Sequence, residues 1–236
     1  MTSPAATPDP VSAPFRPLSQ RLREETAELH RTAERSGIMF DLLRGRLERP
    51  AYVALLRDLL EVYAALEARL EASAGERALH AIRDRALYRA DALRDDLAAL
   101  HGAQWEDETA PGEAARAYAE RVRCAPPVHL AAHAWVRYLG DLSGGQALGG
   151  VIARALALPG GAAAAGLSFY RFPGIADVAS YKQRFRAALD AIPLDAAGSD
   201  SAVREAQEAF RLNVRVFEDV ARRTAPSAAP PPPRDA

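Results

Sequence analysis

Residues 137–150 read RYLGDLSGGQALGG. Five glycines, at 140, 144, 145, 149 and 150, fall in a stretch whose flanks carry helical periodicity. Each glycine inside a helix costs about 1 kcal/mol relative to alanine. Positions 140, 144 and 145 are i, i+4 and i+5, so they share a face, and Gly149 continues it one turn later. Without Cβ atoms that face is bare backbone: something flat or bulky can lie close against it, and the helix bends there easily. Small residues at four-residue spacing also serve helix–helix contact, and for a lone pair that reading comes first. Here the glycines are more numerous and Asp141 sits beside the bare face, between Leu139 and Leu142. Aspartate is ordinarily a solvated surface residue. Beside this face it reads as a carboxylate looking into a pocket with a backbone floor.

The rest of the chain follows the same period outward. Pro126–Pro127 opens the glycine helix, which the pattern carries to about Leu158, where PGGAAAAG (159–166) breaks it. Upstream, one helix is expected from about Leu18 to Glu34, with Leu18, Leu22, Leu29 and Ala33 on one face, then a short one near Ile38–Arg44. Pro50 suits the first turn of a long helix to about Ala74, whose stripe is Tyr52, Leu55, Leu59, Val62, Tyr63, Leu66 and Leu70. Further helices fit Ala86–Leu100, Glu113–Arg123, Val178–Ala191 and Ser201–Arg222. No alternating strand pattern and no internal repeat is present. The expected architecture is all-α: a single compact domain of seven to nine helices over residues 17–223. Pro- and Ala-rich ends, 1–16 and 224–236, read as disordered tails.

Composition narrows the class. The chain has 236 residues, 49% hydrophobic and 26% charged, with a formal net charge of −1. That is an ordinary globular balance, with no overall basic field for nucleic acid. The single cysteine, Cys124, cannot form an intrachain disulfide, which suits a reducing compartment. The N-terminal stretch has no signal-peptide pattern, and no apolar run reaches the roughly 18 residues of a membrane span. A cytoplasmic protein without a membrane segment is expected.

The histidines are His30, His80, His101, His129 and His133, and none belongs to a zinc-binding spacing. His30 flanks the apolar stripe of the first helix, one turn before Glu34. A histidine at such a boundary is commonly just packed. Set against a glycine floor on another helix it acquires a role, because an imidazole and a bare helix face can sandwich a planar metal macrocycle. Haem iron needs one strong axial nitrogen and an open opposite face for dioxygen. His133, two turns before Asp141, reads as structural, hydrogen-bonded to a neighbouring helix. Haem also carries two propionates. YKQRFRAALD (181–190) places Lys182 and Arg186 at i, i+4, and Arg23 lies seven residues before His30 on the same side of the first helix. Arginine holds a carboxylate by paired hydrogen bonds and lysine by a point charge. On spacing alone these cations equally form a solvated basic face.

Taken together, LHRTAE (29–34), RYLGDLSGGQ (137–146), FYRF (169–172), YKQRFRAALD and AFRLNVRVFEDV (209–220) closely resemble segments of the heme oxygenase family, in the family's order, over most of residues 17–222. The resemblance implies oxidative cleavage of haem to biliverdin, carbon monoxide and ferrous iron. It uses dioxygen and electrons from a donor such as ferredoxin or a flavoprotein reductase. Haem is then both substrate and oxygen-activating cofactor, its iron bound through His30. By the same resemblance, Gly140 and Gly144 border haem and dioxygen, with Gly145 on the same floor, and Asp141 organises a distal water network. Tyr63 and Arg137 are outer members of that network, Phe210 and Asn213 wall the pocket, and Arg23, Lys182 and Arg186 lie near the propionates. Glu34 is placed to orient the His30 imidazole, directly or through water. The chain departs from the family in two places: Trp135 stands where a tyrosine is common near the propionates, and Arg23 where lysine is common. It ends in PPPPRDA rather than an apolar anchor, as the soluble bacterial members do. A non-catalytic haem carrier or store would need His30 and the cations but has little use for Asp141. A helical interaction protein would need only the packing role of the glycines.

Overall fold

The computed structural model describes residues 16–225, so most of both expected tails lies outside the described residues. Ten α-helices and no strand occur among them: α1 (Leu18–Glu25), α2 (Ala27–Glu34), α3 (Gly37–Leu43), α4 (Arg49–Ala72), α5 (Ala90–His101), α6 (Trp105–Glu108), α7 (Glu113–Arg123), α8 (Pro127–Ala155), α9 (Val178–Asp190) and α10 (Ala196–Thr224). This exceeds the expected count for two reasons. The four-residue α6 has too short a pattern to read, and the first expected helix is two. Arg16, assigned above to the N-terminal tail, reaches Glu24 and Glu25 with its guanidinium.

The helices α4, α8 and α10 make the centre. α5 and α7 pack on α4, while α1, α2, α3, α7 and α8 pack on α10. The stripe Tyr52, Leu55, Leu59, Val62, Tyr63, Leu66 and Leu70 of α4 is buried throughout, each residue contributing about 1.5–3 kcal/mol of hydrophobic stabilisation. Proline stands in the first turn of both α4 and α8, where its missing N–H costs nothing. Asp177 and Asp195 cap α9 and α10 by accepting backbone N–H groups, and the second cap starts α10 five residues before the expected Ser201.

Two endings depart from the sequence expectation. Between α1 and α2, Thr26 leaves helical geometry (φ −112°, ψ 0°). Its hydroxyl donates to Leu22 O at 2.6 Å, and the carbonyl of Glu25 accepts from Gln207 Nε2 on α10 at 3.1 Å. A hydroxyl bonded back to the i−4 carbonyl bends a helix, and the partner on α10 holds the bend. α8 stops at Ala155, short of Leu158, because Ala157 turns left-handed (φ 49°) and the N–H groups of Ala157 and Leu158 return to Arg154 O and Ala153 O. That ending is usually marked by glycine, which is absent at position 157.

Gly37 opens α3 with φ 48°, and a Cβ there would lie 2.2 Å from the backbone oxygen of Phe217. The link from α2 to α3 therefore rests directly on the backbone of α10. No helix among the described residues is long and apolar enough to cross a membrane.

Candidate active site

A cleft of about 400 Å³ opens between α2, α3 and α10 on one side and α8 on the other, with α4 at its back. The bend at Thr26 directs α2 so that His30 lines this cleft, its ring edge-on to Phe210 of α10 at 5.7 Å. Glu34 Oε1 lies 3.6 Å from His30 Nδ1, within ion-pairing reach but beyond a hydrogen bond.

The opposite wall is α8, which runs as continuous helix through its glycines. They divide into two sets rather than forming one bare face. Nothing lies within 4 Å of a Cβ built on Gly140, and only the Leu148 side chain, at 3.9 Å, approaches one on Gly144; both glycines line the cleft. Gly145 and Gly149 instead receive Tyr170, whose atoms would lie 3.5 Å and 3.4 Å from the added Cβ atoms. The first pair is a floor open to a ligand, and the second is a notch for an aromatic ring of the protein, with Gly145 also lining the cleft at the floor's edge.

Asp141 stands half-buried at the edge of the floor. The Tyr63 hydroxyl donates to Asp141 Oδ2 and accepts from Arg137 Nε at 3.1 Å, and Arg137 in turn donates to Asn213 Oδ1. The Arg137 guanidinium also lies over the Tyr63 ring at 4.8 Å. Four residues from α4, α8 and α10 are thus joined in one chain ending on a carboxylate. Burial pushes the Asp141 carboxyl above the usual carboxylate range, against the pull of Arg137, the Tyr63 hydroxyl and Arg89. Burial also raises the Tyr63 phenol, so it stays protonated as a donor.

The remaining sequence candidates sit around this core. Trp135 stands behind Phe210, edge-on at 6.4 Å, and is not among the lining residues. Lys182 reaches the rim through Ser143, its Nζ 3.2 Å from the serine hydroxyl, and Arg186 follows one turn later on α9, exposed. Arg23 is on α1, so the expectation that it shares a helix with His30 does not hold: the Thr26 break separates them. His133 is buried as expected, its Nε2 2.9 Å from Glu205 Oε1 on α10 and its Nδ1 3.4 Å from the Tyr118 hydroxyl on α7.

Several lining residues escaped the sequence reading. Met39, Leu42 and Leu43 of α3, Leu55 and Leu59 of α4, and Phe169 and Tyr170 complete the apolar walls. The aromatic pair in FYRF was the available signal; the aliphatic residues look like any core stripe. An imidazole on one wall, open backbone on the other, apolar sides and a cation at the rim fit a flat apolar macrocycle bearing a metal and carboxylates.

The family model described as Heme oxygenase matches residues 16–219. The chain belongs to the heme oxygenase family. It is 37% identical to heme oxygenase 2 of Synechocystis over 206 residues, which cover 86% of this chain and 82% of that protein. The heme oxygenase structure from Leptospira interrogans superposes with a TM-score of 0.82 at 39% identity, covering 86% of this chain and 99% of that one. Heme oxygenase-1 of Synechocystis, solved in complex with heme, superposes at 0.83 with 34% identity, covering 88% and 94%. The all-α heme oxygenase fold expected from the motifs is the fold observed.

Proposed function

We propose that this chain is a heme oxygenase in activity as well as family, cleaving haem to biliverdin, carbon monoxide and ferrous iron. The observation that carries the proposal is the chain Asn213–Arg137–Tyr63–Asp141 ending beside the open Gly140–Gly144 floor, opposite His30. Haem, when bound, supplies the redox and oxygen-activating chemistry. The protein's residues bind, orient and supply protons.

His30 would hold the haem iron through its imidazole, which would give the metal a milder electron donation than a thiolate does. Glu34 is close enough to bias the imidazole through a water or a short side-chain movement. Gly140 and Gly144 leave room that any side chain would occupy, and Gly145 continues the floor while holding Tyr170. Asp141 is held by Tyr63 and Arg137 so that its free oxygen can fix water and pass protons to the distal side. Lys182, Arg186 and Arg23 are the proposed propionate partners, Lys182 exchanging Ser143 for a carboxylate. Phe210 and Trp135 back the His30 side. Electrons come from a separate donor of the ferredoxin or flavoprotein reductase type. A cytoplasmic location belongs to the same proposal and is supported by a free, exposed Cys124. Residues 17–223 act as one functional unit.

The test is to mix the purified chain with haem, dioxygen and a reductant. Loss of the Soret band with appearance of biliverdin is expected. A stable haem spectrum under those conditions would make the chain a carrier, leaving the Asp141 network without a use.

A further inference from the structure

FYRF, residues 169–172, supplies two rings to the cleft but belongs to no long helix; residues 168–170 form a single 3₁₀ turn. Such a segment needs external anchors. Asp96 of α5, fully buried, accepts the backbone N–H of Ser168 at 2.6 Å through one carboxylate oxygen and that of Phe169 at 2.8 Å through the other. Arg89, just before α5 and also buried, donates to the carbonyls of Phe169 and Arg171. Its guanidinium lies 3.9 Å from the Phe172 ring centre. The middle of α5 thus holds the segment's N–H groups with a carboxylate, and the residue before the helix holds its carbonyls with a guanidinium. Charge-assisted bonds of this kind are stronger than neutral ones and fix the backbone closely.

The held segment touches both halves of the distal wall. The Phe169 ring stands edge-on to Tyr63 at 5.5 Å, bracing the residue that donates to Asp141. The Tyr170 ring fills the Gly145–Gly149 notch one turn beyond the Gly140–Gly144 floor. We infer that Asp96 is a positioning residue for the distal side: through the 168–170 turn it sets where α8 lies relative to the cleft and where Tyr63 holds Asp141. The influence of Asp96 runs through Phe169 and Tyr170, the residues of the turn it holds. The inference rests on the proposed haem reading for its consequence in product choice, but not for its mechanical part.

Asp96→Asn keeps the shape and turns one acceptor into a donor facing an N–H. In haem-free protein, hydrogen exchange at the backbone amides of residues 144–149 should rise, while that of residues 27–34 on α2 stays unchanged. With haem bound, the pH at which the ferric spectrum changes should shift, and the product should become a mixture of biliverdin isomers. Tyr170→Ala, which empties the notch directly, should give the same three changes. Asp58→Asn is the comparator: that buried carboxylate accepts the Gly112 N–H at 2.7 Å and should lower Tm while leaving all three readouts at wild-type values. Wild-type exchange at 144–149, spectral midpoint and isomer ratio in both Asp96→Asn and Tyr170→Ala would overturn the inference. If the wild-type chain did not turn haem over, the exchange measurement would still decide it, so failure of the functional reading is told apart from failure of this one.

Discussion

Asp141 has one oxygen committed to the Tyr63 hydroxyl, and that hydroxyl is itself committed to Arg137. The carboxylate therefore faces the cleft with fixed orientation and an affinity for protons raised by burial. Replacing it by asparagine keeps the size and removes the negative charge. Haem binding should persist, while biliverdin formation should fall by about 100-fold or more, the usual scale for a lost proton-transfer group; single-turnover yield measures it. On the other wall, His30→Ala opens space for an added ligand. The variant should bind haem without the imidazole spectral signature, lose most turnover, and regain both in part when free imidazole is supplied. An unchanged spectrum would remove His30 from the axial position.

At the scale of the helix, α8 carries two opposed demands. Gly140 has no atom within 4 Å of a Cβ site, so Gly140→Ala should stabilise the haem-free protein by up to about 1 kcal/mol, the intrinsic helix preference. The same methyl would intrude on the cleft, so turnover should fall while Tm rises. Gly149→Ala should do neither cleanly, because Tyr170 Cβ lies 3.4 Å from the added atom and must shift. This division of the glycines follows the helical period, which turns positions 145 and 149 by roughly 140° and 180° from 140, so the single face expected above does not exist; what the sequence does not show is which segment, far away in the chain, sends a ring into the second face. The same holds for α1 and α2. Their apolar stripe reads as one helix because a threonine hydroxyl bonds back in many helices without ending them, and the partner that holds this bend, Gln207, is on α10. By contrast α7 has the bounds expected, Glu113 to Arg123, because Gly112 and the prolines after Cys124 punctuate it locally. The polar core of the site was legible in two ways: Asp141 stood out beside the glycines, whereas Tyr63, Arg137 and Asn213 were reached through the resemblance to the family's segments. The aliphatic walls and Asp96 carried no such mark.

Across the whole molecule, two buried carboxylates set opposite responses to pH. Glu205 of α10 is opposed by burial, but His133 and Arg121 hold its carboxyl down at about 2. Its contribution is complete above the ordinary glutamate value of 4.5 and is lost as pH falls from there towards 2. Glu205→Gln should therefore lower stability at neutral pH by roughly 3 kcal/mol, at about 1.4 kcal/mol per pH unit of displacement, and should flatten the acid limb of a Tm-against-pH curve. Glu67, whose carboxylate accepts the Arg89 and Ala90 N–H groups at the start of α5, is pushed up to about 7, burial outweighing those bonds. A raised carboxyl binds its proton more tightly in the folded state, so stability should decline as pH climbs from 4.5 to 7, and Glu67→Gln, which keeps an acceptor, should remove that decline.

Gly37 and Gly140 are both glycine for lack of room, but the room is taken by different things. At 37 the obstacle is the carbonyl of Phe217, permanently in place; at 140 it is the proposed cargo, which comes and goes. A saturation library sorted for soluble, folded chains should return almost nothing but glycine at 37 and a broad assortment at 140. The same library sorted for green pigment should narrow position 140 to match.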